Sequence, residues 1–584
     1  MRFGFMDFCC GEYPILRIYS LLSPLNKFHE LYKLYELIIM QLLWLDLNSS
    51  YAHSSLALPA IHAQAQGEEG DVAWGKVSAT INSNVGSVVA EIVERKPDIL
   101  AATAWLFTHE VLLKITSRVK ALLPECMIIF GGPEMLGDNE AYLRQYRFVN
   151  CVFRGEGEIG FHEWLRVCDR PDAWQSVTGL CWLDEEGNYH DGGLARVMEF
   201  DRLQIPEASQ FFDWSKPFVQ LETTRGCFNT CAFCVSGAEK PVRALSVDRI
   251  RERLTVIREH GIQDIRLLDR TFNGSSERAI RLLELFREFA PDMHFHLEIH
   301  PALLSDEVKV LLSELPVGLL HLEAGIQSLR EEVLQACRRI GSLEAALEGL
   351  RYLAGLPNLV VHADLIAGLP LYTLEQMISD VRVLASFGTG EVQLELLKLL
   401  PGTVMREQAE SLGIVYSPDV PYEVLKTREM SVEDLRQARL LSRLIDGFYN
   451  ATAWQEVVRR LIVHDERFLP EFLAWLEHLE LLEQPLSLER RGALLYEFCE
   501  RRYPAFLTDI SVAWIVVGIP FAKEPSKRLK TWNSGIPADV TVMAGEYTDV
   551  MRVYYLTDDI REFWFGFDRG KSASKPLFVC YKYC

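Results

Sequence analysis

The chain has 584 residues, room for two to four domains of roughly 100 to 200 residues each, so a single small module is excluded. Its 60 basic and 81 acidic side chains leave a formal net charge of -21, which argues against a protein whose business is neutralising phosphate backbones; nucleic acid is not expected as a partner. About half the residues are apolar, yet no run reaches the roughly 18 apolar residues of a membrane span, and ten of the thirteen cysteines lack the spacing of a secreted disulfide framework. A cytoplasmic protein is expected.

Residues 1–40 are aromatic-rich and mildly amphipathic, without the cationic start and small-residue cleavage site of a signal peptide, and read as an extension or peripheral helix. From residue 41 strand-like runs alternate with helical periods, as in a parallel α/β domain. "QLLWLDLN", "DILAATAW", "MIIFGGPEM" and "VNCVFRGEGE" read as strands whose carboxyl ends carry polar and glycine residues, where open α/β sheets bind ligands. That pattern outlines a binding domain over 41–168, followed by a hairpin and linker over 169–217. A second series begins at Phe218, with strands "FVQLETT", "DIRLLD", "HFHLEIH", "LLHLEAG", "LVVHADLIAG" and "EVQLELLKLL". Six βα units outline an incomplete TIM-like barrel over 218–409, with its site at the strand carboxyl ends. Beyond it, 410–584 reads as a mainly helical domain with a less periodic, aromatic-rich tail.

The stretch "TTRGCFNTCAFCVSG" follows the first of those six strands and holds Cys227, Cys231 and Cys234 in a C-x3-C-x2-C spacing. A structural zinc site needs four ligands in two knuckles, and no second pair is present to complete one. A thioredoxin-type redox pair would leave Cys227 unexplained. Three thiolates can hold a four-iron cluster and leave one iron open for a substrate or cofactor.

With Phe233 before the last cysteine, this loop resembles the signature of the radical S-adenosylmethionine (SAM) family. The resemblance implies a 4Fe–4S cluster on the three cysteines, SAM chelating the open iron, and cleavage of SAM to a 5′-deoxyadenosyl radical when the cluster is reduced. Such an enzyme draws its electron from a low-potential donor such as flavodoxin or ferredoxin. In "LLDRTFNGSS", Asp269, Thr271 and Asn273 stand where the family contacts the SAM amino group. Glu323, Gln327 and Ser328 in "LEAGIQS", and Asp364, Ile366 and Gly368 in "DLIAGLP", resemble its ribose- and adenine-binding segments. Each is also readable as an ordinary strand-end carboxylate or turn residue.

In the first domain, Gly131, Gly132, Gly155 and Gly157 permit close backbone approach to a bulky ligand, but neither glycine stretch is a G-x-G-x-x-G opening a helix. With Asn48, His53 and Ser54 of "LDLNSSYAHSSLA", and with Glu134, Glu156 and Glu158, these segments resemble the Rossmann-like cobalamin-binding domain upstream of many radical SAM domains. The resemblance implies a corrinoid held between the two domains. The D-x-H-x-x-G motif is missing, leaving His53 as a candidate cobalt ligand or an ordinary hydrogen-bonding group. Three readings follow: a cobalamin-dependent radical SAM enzyme, with methyl transfer as its best-known outcome; radical SAM chemistry without methyl transfer; and a non-catalytic corrinoid- or redox-responsive binding protein. The substrate is unknown at this level.

Overall fold

A computed structural model describes residues 39–65, 72–520, 523–532, 540, 551–558, 560–568 and 575–583; the expected extension lies outside the described residues up to residue 38. The first sheet contains β1 (Met40–Asn48), β2 (Val72–Thr80), β3 (Ile99–Thr103), β4 (Met127–Gly131), β5 (Cys151–Phe153), β6 (Leu180–Leu183) and β7 (Tyr189–Asp191), in the order β2-β1-β3-β4-β5-β6-β7. The first five strands are parallel, whereas β6 and β7 add on antiparallel beyond β5. All five residues of β3 are buried, as expected where helices cover both faces of a parallel sheet, and separate apolar clusters lie on those two faces. The hairpin expected within 169–217 is present and completes the sheet of the first domain. Strand β2, which the sequence reading did not expect, is an edge strand whose Gly75 and Lys76 interrupt the apolar run.

The second sheet starts with β8 (Phe218–Leu221), and a short antiparallel pair, β9 (Thr224–Arg225) and β10 (Arg243–Ala244), brackets the cysteine loop. It continues with β11 (Asp264–Leu267), β12 (His294–Ile299), β13 (Leu320–Gln327), β14 (Val360–Ala367) and β15 (Glu391–Leu396). The six long strands are all parallel and lie in chain order, with β8 and β15 at opposite edges. Alternation is strict in β13: Leu320, Leu322, Ala324 and Ile326 are buried towards the helices, while His321, Glu323, Gly325 and Gln327 face the other way, half-buried. One face thus supplies the core and the other a polar surface whose top is the strand ends.

An open parallel sheet leaves an edge with unpaired backbone groups. Here the edge strand β15 is covered by the helical segment after it: Asn450 donates from Nδ2 to the Val392 carbonyl and accepts the Val392 N–H at Oδ1, both at 2.9 Å. Helices Val432–Leu444, Gln455–His464, Phe468–His478 and Leu488–Arg502 share one continuous apolar core with the sheet.

The segment 410–584 is not mainly helical to its end. Before the helices comes the small hairpin of β16 (Val415–Tyr416) and β17 (Val424–Lys426). After them comes an antiparallel sheet of β18 (Lys530–Trp532), β19 (Met551–Thr557), β20 (Arg561–Asp568) and β21 (Phe578–Tyr583). Aromatic residues on both faces of this last sheet, Tyr554 and Phe565 on one and Trp564 on the other, hide the two-residue alternation that would have announced it.

Because Asn450 mimics the missing neighbour strand, Asn450→Leu should cost about 1–3 kcal/mol by leaving buried backbone groups unpaired. The loss is measurable as a lower urea midpoint together with faster amide exchange at Val392.

Candidate functional site: a three-cysteine loop facing an interdomain cavity

The cysteine loop leaves the carboxyl end of β8 through Gly226, whose φ of 88° and whose missing Cβ, which would press on the Glu239 carbonyl, both require glycine. A second segment, Cys337 to Ile340, holds the loop from outside. The Ala232 N–H donates to the Cys337 carbonyl (2.8 Å), the Thr230 hydroxyl to the Arg338 carbonyl (3.0 Å), and Asn229 exchanges bonds with both Ile340 backbone groups (3.0 and 3.2 Å). Arg339 reaches past it, donating to the Cys231 sulfur at 3.7 Å and to the Gly325 carbonyl. "CRRI" at 337–340 escaped the sequence reading because nothing in its residue types announces a partner about 108 positions away.

Cys227 and Cys231 are buried and Cys234 half-buried, and each thiol lies within electrostatic reach of the others. Among the described residues no three His, Cys, Asp or Glu side chains converge on the position of a single ion. A zinc site needs its sulfurs about 2.3 Å from one point. A four-iron cluster takes each thiolate on a different iron, so three neighbouring but separate sulfurs fit the cluster's donor set better than zinc's. Phe233 packs against the main core behind the loop.

Three ion pairs join this loop to the first domain, and a fourth, to Glu222, is local to it. Arg225, two residues before Cys227, binds Glu156 at 3.1 Å, Glu158 at 2.6 Å and Glu222 at 2.8 Å. Arg243, on the partner strand β10, binds Glu156 at 2.6 Å. Burial works against ionisation of Glu156, yet Arg243 and Arg225 hold its carboxyl below the ordinary value. Glu156 and Glu158 were expected to contact the corrinoid; their oxygens are instead engaged by these arginines, although both residues still border the cavity between the domains.

Two residues expected at the SAM amino group are also committed elsewhere. Asp269, 1% exposed, accepts from the Thr223 N–H and hydroxyl and from the Thr224 N–H, so its carboxylate anchors the strand that launches the cysteine loop. Asn273, equally buried, donates to the His300 carbonyl and accepts from the His300 N–H (2.9 and 2.8 Å). Ser328 donates to buried Asp380 at 3.4 Å.

The other expected residues do meet on one surface. Glu323 accepts from His296 at 3.0 Å, and this bond lowers its pKa. Burial, with Glu323 and Glu298 nearby, pushes Asp364 well above the ordinary carboxyl range, and its Oδ1 is buried without a hydrogen-bond partner. Gln327 sits at a bulge with φ 73° and presents a buried, unpartnered Oε1. Gly368, with φ 86°, closes the row against Leu435 and Val424. Glu298, missed by the sequence reading, is raised to about 7 by burial, with Arg270 opposing. Such unmatched buried groups around one spot mark a polar ligand's seat.

On the first-domain side two adjoining cavities open at the strand ends. The smaller, about 450 Å³, is bounded by Ala101, Gly131, Gly132, Gly155, Gly157 and, from the second sheet, Arg270. The larger, about 1090 Å³, runs past Glu134 to the turn at Gly402 and to Tyr422 of the small hairpin. Buried Glu134 accepts the Tyr422 hydroxyl at 2.9 Å. Gly132 and Gly155 owe their residue type to backbone packing rather than to ligand approach: their φ values are 98° and 99°, and an added Cβ would strike the Thr103 side chain and the Ala195 carbonyl. Asn48, His53 and Ser54 border neither cavity. His53 bonds Ser50 at 2.7 Å and packs edge-on against Phe218, so it is not placed as a cobalt ligand.

Residues 221–384 match the family model described as the Radical SAM superfamily, and the chain carries a radical SAM domain over that segment. Such a domain works with a 4Fe–4S cluster and SAM. Residues 410–511 match a second model, described as a protein of unknown function (DUF4080). The chain is 23% identical over 381 residues to an uncharacterized methyltransferase, PH0819, of Pyrococcus horikoshii, covering 62% of this chain and 81% of that protein. It is 23% identical to the cobalamin-dependent radical SAM methyltransferase TokK of Streptomyces tokunonensis, covering 58% of this chain but only about half, 54%, of TokK. In fold it is similar to the cobalamin-dependent S-adenosylmethionine radical enzyme OxsB solved with aqua-cobalamin, at a TM-score of 0.57, 14% identity and 82% coverage of each chain. No helix among the described residues is long and apolar enough to cross a membrane.

Two outcomes follow from this geometry. Arg225→Leu leaves Glu156, Glu158 and Glu222 facing one another without their shared cation, and should cost about 3–5 kcal/mol, read as a lower denaturation midpoint and reduced iron uptake. Glu298 ionises near 7 in the folded chain against an ordinary value of 4.5. The folded state holds a proton that the unfolded chain releases, so stability should fall as pH rises across that window, and Glu298→Gln should remove that part of the pH dependence.

Proposed function

We propose that the protein is a cobalamin-dependent radical SAM methyltransferase, built as a Rossmann-like corrinoid domain over 40–191, a partial (β/α)6 barrel over 218–409 and a closing helical segment. The observation that carries this reading is the meeting of two sites: a three-thiol loop at the carboxyl ends of parallel strands, clamped beneath a large cavity at the strand ends of a second α/β sheet. When bound, the cluster with SAM supplies one-electron chemistry able to open an unactivated C–H bond, and the corrinoid supplies a methyl group.

The chain's own residues do the holding. Cys227, Cys231 and Cys234 would supply three thiolates to the cluster and leave its fourth iron for SAM. Burial raises the Cys231 thiol above its ordinary value, and Arg339, donating to its sulfur, works against that rise. Glu323, Gln327, Asp364 and Gly368 would hold the rest of SAM. Gly131, Gly132, Gly155 and Gly157 border the corrinoid's space, and no histidine borders the smaller of the two cavities. Tyr422, from the segment of unknown function, closes the larger cavity against Glu134, so that segment takes part in shaping the substrate's space. A low-potential donor of the flavodoxin or ferredoxin kind supplies electrons.

Oxygen-free reconstitution should give about four irons per chain, the stoichiometry of this ligand set. Cys231→Ala should lose the cluster's visible absorption and all 5′-deoxyadenosine production from SAM. Wild-type protein loaded with hydroxocobalamin should retain the corrinoid through gel filtration. A Cys231→Ala protein that still cleaves SAM would overturn the reading.

A further inference from the structure

The cysteine loop has a second side, turned away from the cavities. Between Cys227 and Cys231 run Phe228, Asn229 and Thr230, none of which borders either interdomain cavity. Two cations are tied to this arc from its flanks. Lys240 donates from Nζ to the Phe228 carbonyl at 2.9 Å, and the Thr230 hydroxyl donates to the Arg338 carbonyl at 3.0 Å. Both basic side chains are exposed. Among the described residues neither has a carboxylate partner, and the Arg338 guanidinium meets Gln408 alone, at 3.4 Å. Surface arginines elsewhere are neutralised by neighbours, Arg251 by Glu288, Arg436 by Glu433 and Arg459 by Glu456.

The charge of this face is opposite to that of the chain, which carries -21. Residues 227–242 and 337–342, which form it, hold Lys240, Arg338 and Arg339 against one carboxylate, Glu239, and Glu239 lines both cavities on the other side. The next acids along the chain, Glu332 and Glu344, belong to the flanking helices. Ile340, 51% exposed, and Val242, 48% exposed, set apolar side chains among the cations, the makeup of a protein contact with a polar rim. The arc is also a thin wall over the sulfurs. Phe228 adjoins Cys227 and Thr230 adjoins Cys231, so a molecule touching the arc stands one residue from two of the three thiols.

We propose that this face is the docking surface of a small acidic one-electron carrier protein, and that the reducing electron crosses the arc Phe228–Thr230. One electron leaves the carrier and enters the cluster, with no bond made or broken and no proton moved. The assignment rests on the radical SAM reading above, in which a cluster on these cysteines draws its electron from outside the chain. Charge selects the partner: an acidic protein is repelled by a chain at -21 and steered to the face where unpaired cations stand. The few exposed side chains of the patch suit the small, transient contacts of redox partners. The first domain leaves this route open, because its ion pairs grip the root of the loop through Arg225 and Arg243.

The test follows cluster reduction by stopped-flow absorbance in the oxygen-free reconstituted full chain, with a reduced acidic flavodoxin as donor, and measures binding of the oxidised flavodoxin by calorimetry. Wild type is compared with Lys240→Glu, Arg338→Glu, the two combined, and Arg501→Glu, a control of equal charge change on the helix Leu488–Arg502. Reduction of the combined variant should slow at least about tenfold at low salt, and binding should weaken with it. The difference should close in about 1 M salt, where screening acts within about 3 Å. Arg501→Glu should behave as wild type, and the iron content and the extent of reduction by dithionite should be unchanged in every variant. Should Lys240→Glu lose iron through its bond to Phe228, Arg338→Glu decides, since its side chain holds nothing in the loop. Patch variants reduced by flavodoxin as fast as wild type overturn the proposal, as does a control that slows equally. Wild-type protein that dithionite reduces and flavodoxin does not overturns the choice of partner. Wild-type protein that is reduced by dithionite yet cleaves no SAM would instead overturn the radical SAM reading itself.

Discussion

The ion-pair node of Glu156, Glu158 and Glu222 with Arg225 and Arg243 is the contact on which the architecture turns. It lies in the interface between two sheets that each carry their own core, and it is built at the root of the cysteine loop, two residues from Cys227. Buried ion pairs contribute little net stability compared with apolar contacts, but they penalise misplacement heavily, because a shifted domain would strand charges away from water. A node of three carboxylates on two guanidinium groups suits an interface that must be held in one register rather than held tightly. Arg225 also lies over the Phe200 ring at 4.3 Å, which ties the linker into the same register.

Around that node the chain spends polar groups on position. Asp269 and Asn273 hold the turn after β11 and the end of β12, and Asn229 with Arg339 holds the cysteine loop to Cys337–Ile340. What is left unspent is informative: among the described residues, Asp364 Oδ1 and Gln327 Oε1 are buried with no hydrogen-bond partner. A rigid frame with a few unmatched groups is a preorganised receptor. The helical segment serves the frame too, since Asn450 pairs the open edge of the sheet that a full barrel would have closed with further strands.

Much of this was legible in the sequence. The six strands beginning with "FVQLETT" announced themselves because each is apolar towards the helices and ends in a polar or glycine residue, and the close spacing of Cys227, Cys231 and Cys234 left few chemistries to consider. What stayed hidden depends on pairings between distant residues. That Asp269 would be consumed by Thr223, 46 positions earlier, cannot be seen in a local motif, and the same holds for Glu156 and Arg243, 87 positions apart. Edge strand β2 and the closing four-stranded sheet lacked a one-sided apolar pattern. The hairpin of β6 and β7 was legible as a hairpin, but not its place in the first sheet, because antiparallel additions to a parallel sheet leave no βαβ rhythm.

On the proposed reading, the node holds the cluster loop and the corrinoid cavity face to face. The most direct test of that arrangement is the electron-spin relaxation rate of cob(II)alamin in protein carrying both cofactors, measured with the iron–sulfur cluster oxidised and then reduced. Magnetic coupling acts only over short range, so relaxation should quicken on reduction of the cluster in wild type, and the effect should weaken in Arg225→Leu. A rate indifferent to the cluster's oxidation state would contradict the account.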